Sequence, residues 1–163
     1  MVKRYFLVAF LLGISLNISA SIDWSSPSTC NIEDSKNLDE IIGQMTLRQK
    51  IGQIIMPDIQ YVTPDEAKKY QLGSVLNGGG SWPNNKKTST VKDWQNLSKA
   101  FYDASPVIGD QIVPIVWGTD AVHGHSNVIG ATVFPHNIGI GATQDTDLIK
   151  SIAEAVAKEV LST

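Results

Sequence analysis

An apolar run that ends abruptly in polar residues constrains the fold more than any other stretch of this chain. Residues 112–117 are Ile-Val-Pro-Ile-Val-Trp, a run too short and too rich in β-branched residues for a helix, so it predicts a buried strand. Asp120, His123 and His125 follow closely. In α/β proteins the loops after the carboxyl ends of strands form the rim where ligands bind. The stretch therefore predicts a sheet strand followed by candidate functional residues.

Signals for helices and further strands surround this run. Amphipathic helices are predicted over residues 38–45 and after capping residues at Thr46, Thr63, Thr90 and Asp145 or Thr146. Short apolar segments predict strands at residues 74–76, 112–117 and 138–142. This alternation is typical of an α/β fold around a parallel sheet. A sheet of only three strands would leave an open edge and an uncovered apolar face. We therefore expect the chain to form the first, incomplete part of a larger barrel or sheet.

The N-terminus predicts export. An apolar core at residues 5–12 follows two basic residues and precedes small residues up to Ala20, which is typical of a signal peptide over residues 1–20. The alternative is a membrane anchor, but the apolar run is shorter than the roughly 20 residues that a span needs. Residues 21–37 lack periodicity and predict a flexible leader. We therefore expect a periplasmic or extracellular protein with no membrane attachment after cleavage.

Charge and cysteine content limit which binding partners and which disulfide bonds are expected. The net charge is −3, and the basic residues do not form a run, so nucleic acid is not an expected partner. Cys30 is the single cysteine of the chain and therefore has no partner for an internal disulfide.

Several ordered motifs carry a family resemblance. Residues 118–127 are Gly-Thr-Asp-Ala-Val-His-Gly-His-Ser-Asn, and residues 130–143 are Gly-Ala-Thr-Val-Phe-Pro-His-Asn-Ile-Gly-Ile-Gly-Ala-Thr. Together with segments 38–55 and 73–80, they resemble the N-terminal barrel domain of glycoside hydrolase family 3. The chain is most similar to the β-glucosidases and exo-β-glucanases of that family. The resemblance covers about residues 38–163.

The resemblance implies part of a (β/α)8 TIM-type barrel that needs no cofactor. It also implies retaining hydrolysis of β-linked oligosaccharides or glucosides, with an Asp nucleophile and a Glu acid/base. Asp120 matches the aspartate that binds hydroxyls of the non-reducing sugar in the −1 subsite. In the family, the nucleophile and the acid/base lie further along the protein than this chain extends. We therefore expect no catalytic residue in residues 1–163 and no activity from this chain alone.

The candidate site residues also have structural alternatives. Asp120 suits a turn after the strand, and the polar cluster of Asp120, His123 and His125 could bind a metal such as zinc. Because the family does not depend on metal, the interpretation we favour is that no metal binds. The two histidines are then predicted to support the loop behind Asp120 through hydrogen bonds. His136 is predicted to be structural as well.

Two tryptophans are predicted to have different roles, and two alternative functions remain open. Trp82, in a glycine-rich loop, is a candidate for stacking on a sugar, whereas Trp117, inside the predicted strand, is expected to pack in the core. The alternatives to a β-glycosidase are an inactive truncated product or sugar-binding remnant, and a metal-dependent hydrolase built on Asp120, His123 and His125.

Overall fold

Helices and short strands alternate along the chain in a computed structural model that describes residues 32–163, with side chains from residue 38 onward. The helices are α1 Ile32–Gln44, α2 Leu47–Gln53, α3 Pro64–Tyr70, α4 Val91–Asp103, α5 Asn137–Ala142 and α6 Thr146–Leu161. The strands are β1 Ser74–Asn77, β2 Val107–Ile108, β3 Gln111–Ile112 and β4 Val116–Thr119. The fold is therefore α/β, as predicted.

Capping residues start the helices where the sequence predicts them. The side chains of Thr46, Thr63 and Thr90 each accept a hydrogen bond from the backbone amide three residues later and complete capping boxes at α2, α3 and α4. Asp145 caps α6 by accepting from the amide of Leu148. These predictions are confirmed. The caps could be predicted from the sequence because each depends on residues only three positions apart.

The parallel pair β1–β4 is the centre of the fold. Ser74 pairs with Val116 and Asn77 with Thr119, so the carboxyl ends of the two strands meet at one edge. On its other side, β1 forms a parallel bridge from Leu76 to Asp58, beyond the end of α2. The strands β2 and β3 form a separate antiparallel hairpin.

The core lies beneath β1, between the sheet and helices α3 and α4. Trp117 packs against it, and its ring centroid lies 5.9 Å from that of Phe101, which agrees with the predicted core role of Trp117. Burial of such apolar surface stabilises the fold by about 25 cal/mol per Å². The buried cluster comprises Ala67, Leu72, Val75, Phe101, Ala104 and Ile115.

Two predicted strands differ from the structure. Residues 112–117 are divided because Pro114 has no amide to donate, so Ile112 ends the hairpin while β4 begins at Val116. The hairpin was missed, although Gly109, with a φ of 59°, provides the positive φ that a tight two-residue turn requires. The predicted strand at 138–142 is wrong: residues Asn137–Ala142 form α5, because Nδ1 of His136 accepts from the amide of Ile138 and caps a helix.

The N-terminal predictions extend beyond the described residues. The signal peptide at 1–20 and most of the leader at 21–37 lie outside them, as does Cys30. The first helix begins at Ile32 rather than at Leu38. No helix within residues 32–163 combines the length and apolar character needed to cross a bilayer.

Candidate functional site

Asp120 lies at the rim formed by the carboxyl ends of β1 and β4. It directly follows β4, and its backbone amide donates to the carbonyl oxygen of Asn77, the last residue of β1, at 3.1 Å. Its side chain is exposed, and none of residues 38–163 hydrogen bonds to its carboxylate. The carboxylate is therefore free to accept hydrogen bonds from a ligand at the strand ends.

Asp58 is a second carboxylate at this rim, and the sequence analysis missed it. Its bridge to Leu76 brings it beside the end of β1. Its Oδ1 accepts from the hydroxyl of Ser81 at 2.6 Å and from the amide of Gln60 at 2.7 Å, and its Oδ2 accepts from the amide of Gly78 at 3.2 Å. Asp58 follows Pro57, which was predicted to end a helix, and no sequence motif around it indicates a functional carboxylate.

An amide pair links the two loops of the rim. Asn77 is fully buried, and its Nδ2 donates to Oγ1 of Thr119 at 3.4 Å. Nδ2 of Asn127 donates to Oδ1 of Asn77 at 3.1 Å and to the carbonyl oxygen of Gly78 at 2.8 Å. The loop after β4 is thus bound to the loop after β1, and a buried amide with these partners is not left unsatisfied.

The two histidines after Asp120 bind other parts of the chain. Nδ1 of His123 donates to the carbonyl oxygen of Phe134 at 3.1 Å, and its ring contacts that of His136 edge-on at 5.1 Å between centroids. His125 is buried, and its Nε2 shares a hydrogen bond of 2.7 Å with Oγ1 of Thr163. Neither histidine hydrogen bonds to Asp120 in the described part of the chain.

Burial and hydrogen bonds shift two pKa values around His125. Burial lowers the pKa of His125, and the negative charge of Glu159 partly opposes that effect. The pKa of Glu159 is itself lowered, because the backbone amide and the hydroxyl of Thr132 both donate to its Oε1, at 2.9 and 2.8 Å. This polar group joins the loop after β4 to the end of α6 and does not face the rim.

The structure does not assemble the metal-binding alternative. His125 is directed towards Thr163 and Trp94, whereas the backbone of Asp120 is bound to β1. Across residues 38–163, no three histidine, cysteine, aspartate or glutamate side chains come together as a metal site. The three-ligand set of Asp120, His123 and His125 is therefore not formed in this fold.

Trp82 lies beyond the glycine-rich loop that follows β1. Its side chain is half-buried, and Nζ of Lys87 lies 5.9 Å from the ring centroid. The Lys87 ammonium group therefore lies within cation–π range of the ring. Stacking of Trp82 on a sugar stays a prediction.

An apolar groove of about 640 Å³ between α2 and α3 lies away from this rim.

A protein-family model and a known protein match the sequence of this chain. Residues 46–163 match the model of the glycosyl hydrolase family 3 N terminal domain. A lysosomal beta glucosidase of Dictyostelium discoideum is 28% identical in an alignment of length 141 that covers 77% of this chain and 17% of that protein.

Solved structures of an exo-1,3/1,4-beta-glucanase (ExoP) from a Pseudoalteromonas species are also similar. The enzyme and a point mutant of it each superpose with a TM-score of 0.71 at 45% identity over 80% of this chain. The chain spans only 16% and 21% of those two chains. Since the family model matches most of the sequence, the chain belongs to glycosyl hydrolase family 3 and carries sequence of its TIM-type N-terminal domain.

Proposed function

We propose that the protein to which this chain belongs hydrolyses β-glycosidic bonds and releases terminal β-D-glucosyl residues. The relatives named as a beta glucosidase and an exo-1,3/1,4-beta-glucanase support this reaction class. The observation that carries the proposal is the exposed carboxylate of Asp120, which has no hydrogen-bond donor among residues 38–163 at the rim of a TIM-type fold. The reaction is retaining hydrolysis, with a carboxylate nucleophile and a separate acid/base.

In this proposal, Asp120 binds substrate and does not attack it. A carboxylate accepts short, directional hydrogen bonds from a pair of sugar hydroxyls, which fixes the sugar in the −1 subsite. These bonds strengthen as the ring approaches the oxocarbenium-like transition state, so Asp120 contributes to the rate as well as to affinity. The nucleophile and the acid/base are supplied by segments other than residues 1–163, and this chain forms one wall of the subsite.

The full-length protein and its Asp120→Ala variant test the proposal. We expect the full-length protein to release nitrophenol from an aryl β-glucoside, and Asp120→Ala to lose about 2–4 kcal/mol of transition-state stabilisation in kcat/KM. The matched control is Asp110→Ala, which removes an exposed carboxylate from the β2–β3 turn. Unchanged kcat/KM in Asp120→Ala would show that Asp120 does not bind the sugar. Glucoside binding without turnover would instead favour a sugar-binding protein.

We also propose that the protein is exported to the periplasm or the medium. Residues 1–20, with their basic start, apolar core and small residues before Ala20, support this location. Mass spectrometry of the mature N-terminus should find it just after Ala20 or Ser21, and an intact Met1 in the secreted protein would contradict the cleavage.

A further inference from the structure

Asp58 makes an unusual number of contacts for a partly exposed aspartate. Its carboxylate accepts three hydrogen bonds from the chain: from the amides of Gln60 and Gly78 and from the hydroxyl of Ser81. A carboxylate has about four acceptor positions, so most of its capacity is already used by the protein. Asp58 therefore acts on the chain around it, unlike Asp120, whose carboxylate has no such partner.

Gly78 separates the two carboxylates. A Cβ atom placed on Gly78 would lie 2.7 Å from Oδ2 of Asp58 and 3.9 Å from Oδ2 of Asp120. The first distance is a clash and the second is ordinary contact, so the backbone of Gly78 fills the space between the side chains. The position of this one residue determines how far the loop stands from the Asp120 carboxylate.

Hydrogen bonds continue from Gly78 to Asp120 through two asparagines. The carbonyl oxygen of Gly78 accepts from Nδ2 of Asn127, which also donates to Oδ1 of Asn77. The carbonyl oxygen of Asn77 accepts in turn from the amide of Asp120. A displacement at Asp58 thus reaches Asp120 along a continuous, largely buried path, in which each polar group is costly to leave without a partner.

We propose that Asp58 is a positioning residue for Asp120, a role that rests on the glycosidase function proposed above. By holding the amide of Gly78 and the hydroxyl of Ser81, Asp58 keeps the loop after β1 at the separation from Asp120 that sugar hydroxyls require. Asp58 itself does not touch the sugar. A displacement of about 1 Å at such a contact costs up to about 100-fold in rate.

The variant Asp58→Asn in the full-length protein tests this role. Asparagine retains the size of the side chain and one acceptor for Gln60 and Ser81, but its amide group then opposes the amide of Gly78, donor against donor. We expect kcat/KM to fall roughly 10- to 100-fold when it is measured well below the thermal midpoint. The thermal midpoint itself should fall only slightly relative to the control Asp110→Asn, because one buried amide loses its acceptor. The decisive measurement is the double variant with Asp120→Ala. There, Asp58→Asn should cost no more than about 3-fold further, because the residue that Asp58 positions is already gone.

One further substitution, Ser81→Ala, keeps the test decisive, both alone and combined with Asp120→Ala. Ser81→Ala removes one donor and leaves Asp58 in place, so its loss should be smaller but should also disappear in the Asp120→Ala background. If Asp58→Asn does not fold, Ser81→Ala is analysed in its place. Losses that add in full to that of Asp120→Ala, or an active Asp58→Asn enzyme with unchanged kcat/KM, would overturn the positioning role alone. A full-length protein without glycosidase activity would overturn the proposed function and this role with it.

Discussion

Asp120 and His125 follow the same strand but have opposite environments. The carboxylate of Asp120 is exposed at the rim, whereas His125 is only 3% exposed and is held between Trp94 and Thr163. Their spacing in the sequence suggested one cluster, yet Gly124 lies between them with a φ of 71°, and the side chain of His125 packs against Trp94 and Thr163 instead. In the proposed function, a ligand at the strand ends would therefore contact the aspartate, whereas the imidazole is turned into the fold and bonds to Thr163.

The burial of His125 predicts a pH-dependent loop. Burial lowers its folded-state pKa below the ordinary value of about 6.5, so the unfolded chain binds the proton more readily than the folded chain. The stability that neutral His125 contributes is therefore complete above about pH 6.5 and is lost as the pH falls through the folded-state pKa. In the full-length protein, hydrogen exchange of segment 123–134, corrected for intrinsic rates, should report faster opening as the pH is lowered from neutral towards 5.

A histidine variant separates this effect from general acid destabilisation. His125→Gln keeps a polar group near Thr163 without a titrating ring, so the pH dependence of segment 123–134 should flatten. His136→Asn is the control for the neighbouring imidazole, because it removes the exposed ring that contacts His123 while keeping a side chain able to cap α5. An equal pH dependence in the wild type and in His125→Gln would contradict the assignment.

Helix α4 shows how a local signal at the surface anchors the core. It begins at the Thr90 capping box, where the amide and hydroxyl of Thr90 both donate to Oδ2 of Asp93 at 2.7 Å. These bonds lower the pKa of Asp93, so its carboxylate stays ionised at the positive end of the helix. From that start, the helix places Trp94 and Phe101 on its buried side.

Loss of this cap should destabilise the fold measurably. Thr90→Ala removes the hydroxyl that accepts from the amide of Asp93, and we expect the free energy of unfolding to fall by about 1 kcal/mol in urea denaturation. Thr90→Ser retains the hydroxyl and should keep most of the free energy of unfolding of the unsubstituted protein. Thr88→Ala, at an exposed position just before the cap, is the control, and an equal effect there would argue against a capping contribution.

Large apolar side chains remain exposed on two sides of the described chain. Ile54 is 84% exposed, Ile138 79% and Leu47 74%. Apolar residues of α2 and α3 line one open groove, and the apolar side of α6 lines another of about 620 Å³. Exposed apolar surface of this extent is typical of a surface that packs against further protein. This agrees with a chain that matches 16–21% of the length of its solved relatives.

The 163-residue chain produced alone should therefore associate with itself. We also expect it to lack activity, because in the proposed function the nucleophile and the acid/base belong to other segments of the protein. We expect sedimentation velocity to show oligomers at concentrations on the order of 10 µM, because the exposed apolar surface drives association. Replacing Leu47 and Ile51 in the α2–α3 groove by glutamine should reduce this association, whereas Thr88→Ala should not. A monodisperse monomer, or nitrophenol release from an aryl β-glucoside by the chain alone, would contradict this prediction.

Much of the fold was predictable because its signals are local. The caps at Thr46, Thr63 and Thr90 involve residues three positions apart, and β1 is a compact apolar segment between turn signals. Asp120 was predictable as a candidate since it directly follows an apolar run. The error at 138–142 also has a local cause: two isoleucines two positions apart fit a strand as well as one helical turn, and the cap at His136 selects the helix.

The contacts that shape the rim could not be found in the same way. Asp58 and Gly78 are 20 positions apart, and Asn127 and Gly78 are 49 apart. They meet because β1 pairs in parallel with β4 and bridges to Asp58 on its other side, and no short-range pattern encodes that pairing. The sequence alone therefore established most of the helices, the strand β1, the family resemblance and the candidate Asp120. The partners of Asp58, Asn127 and His125 emerged from the packed fold, since hydrogen bonds between distant segments exist only once the strands are aligned.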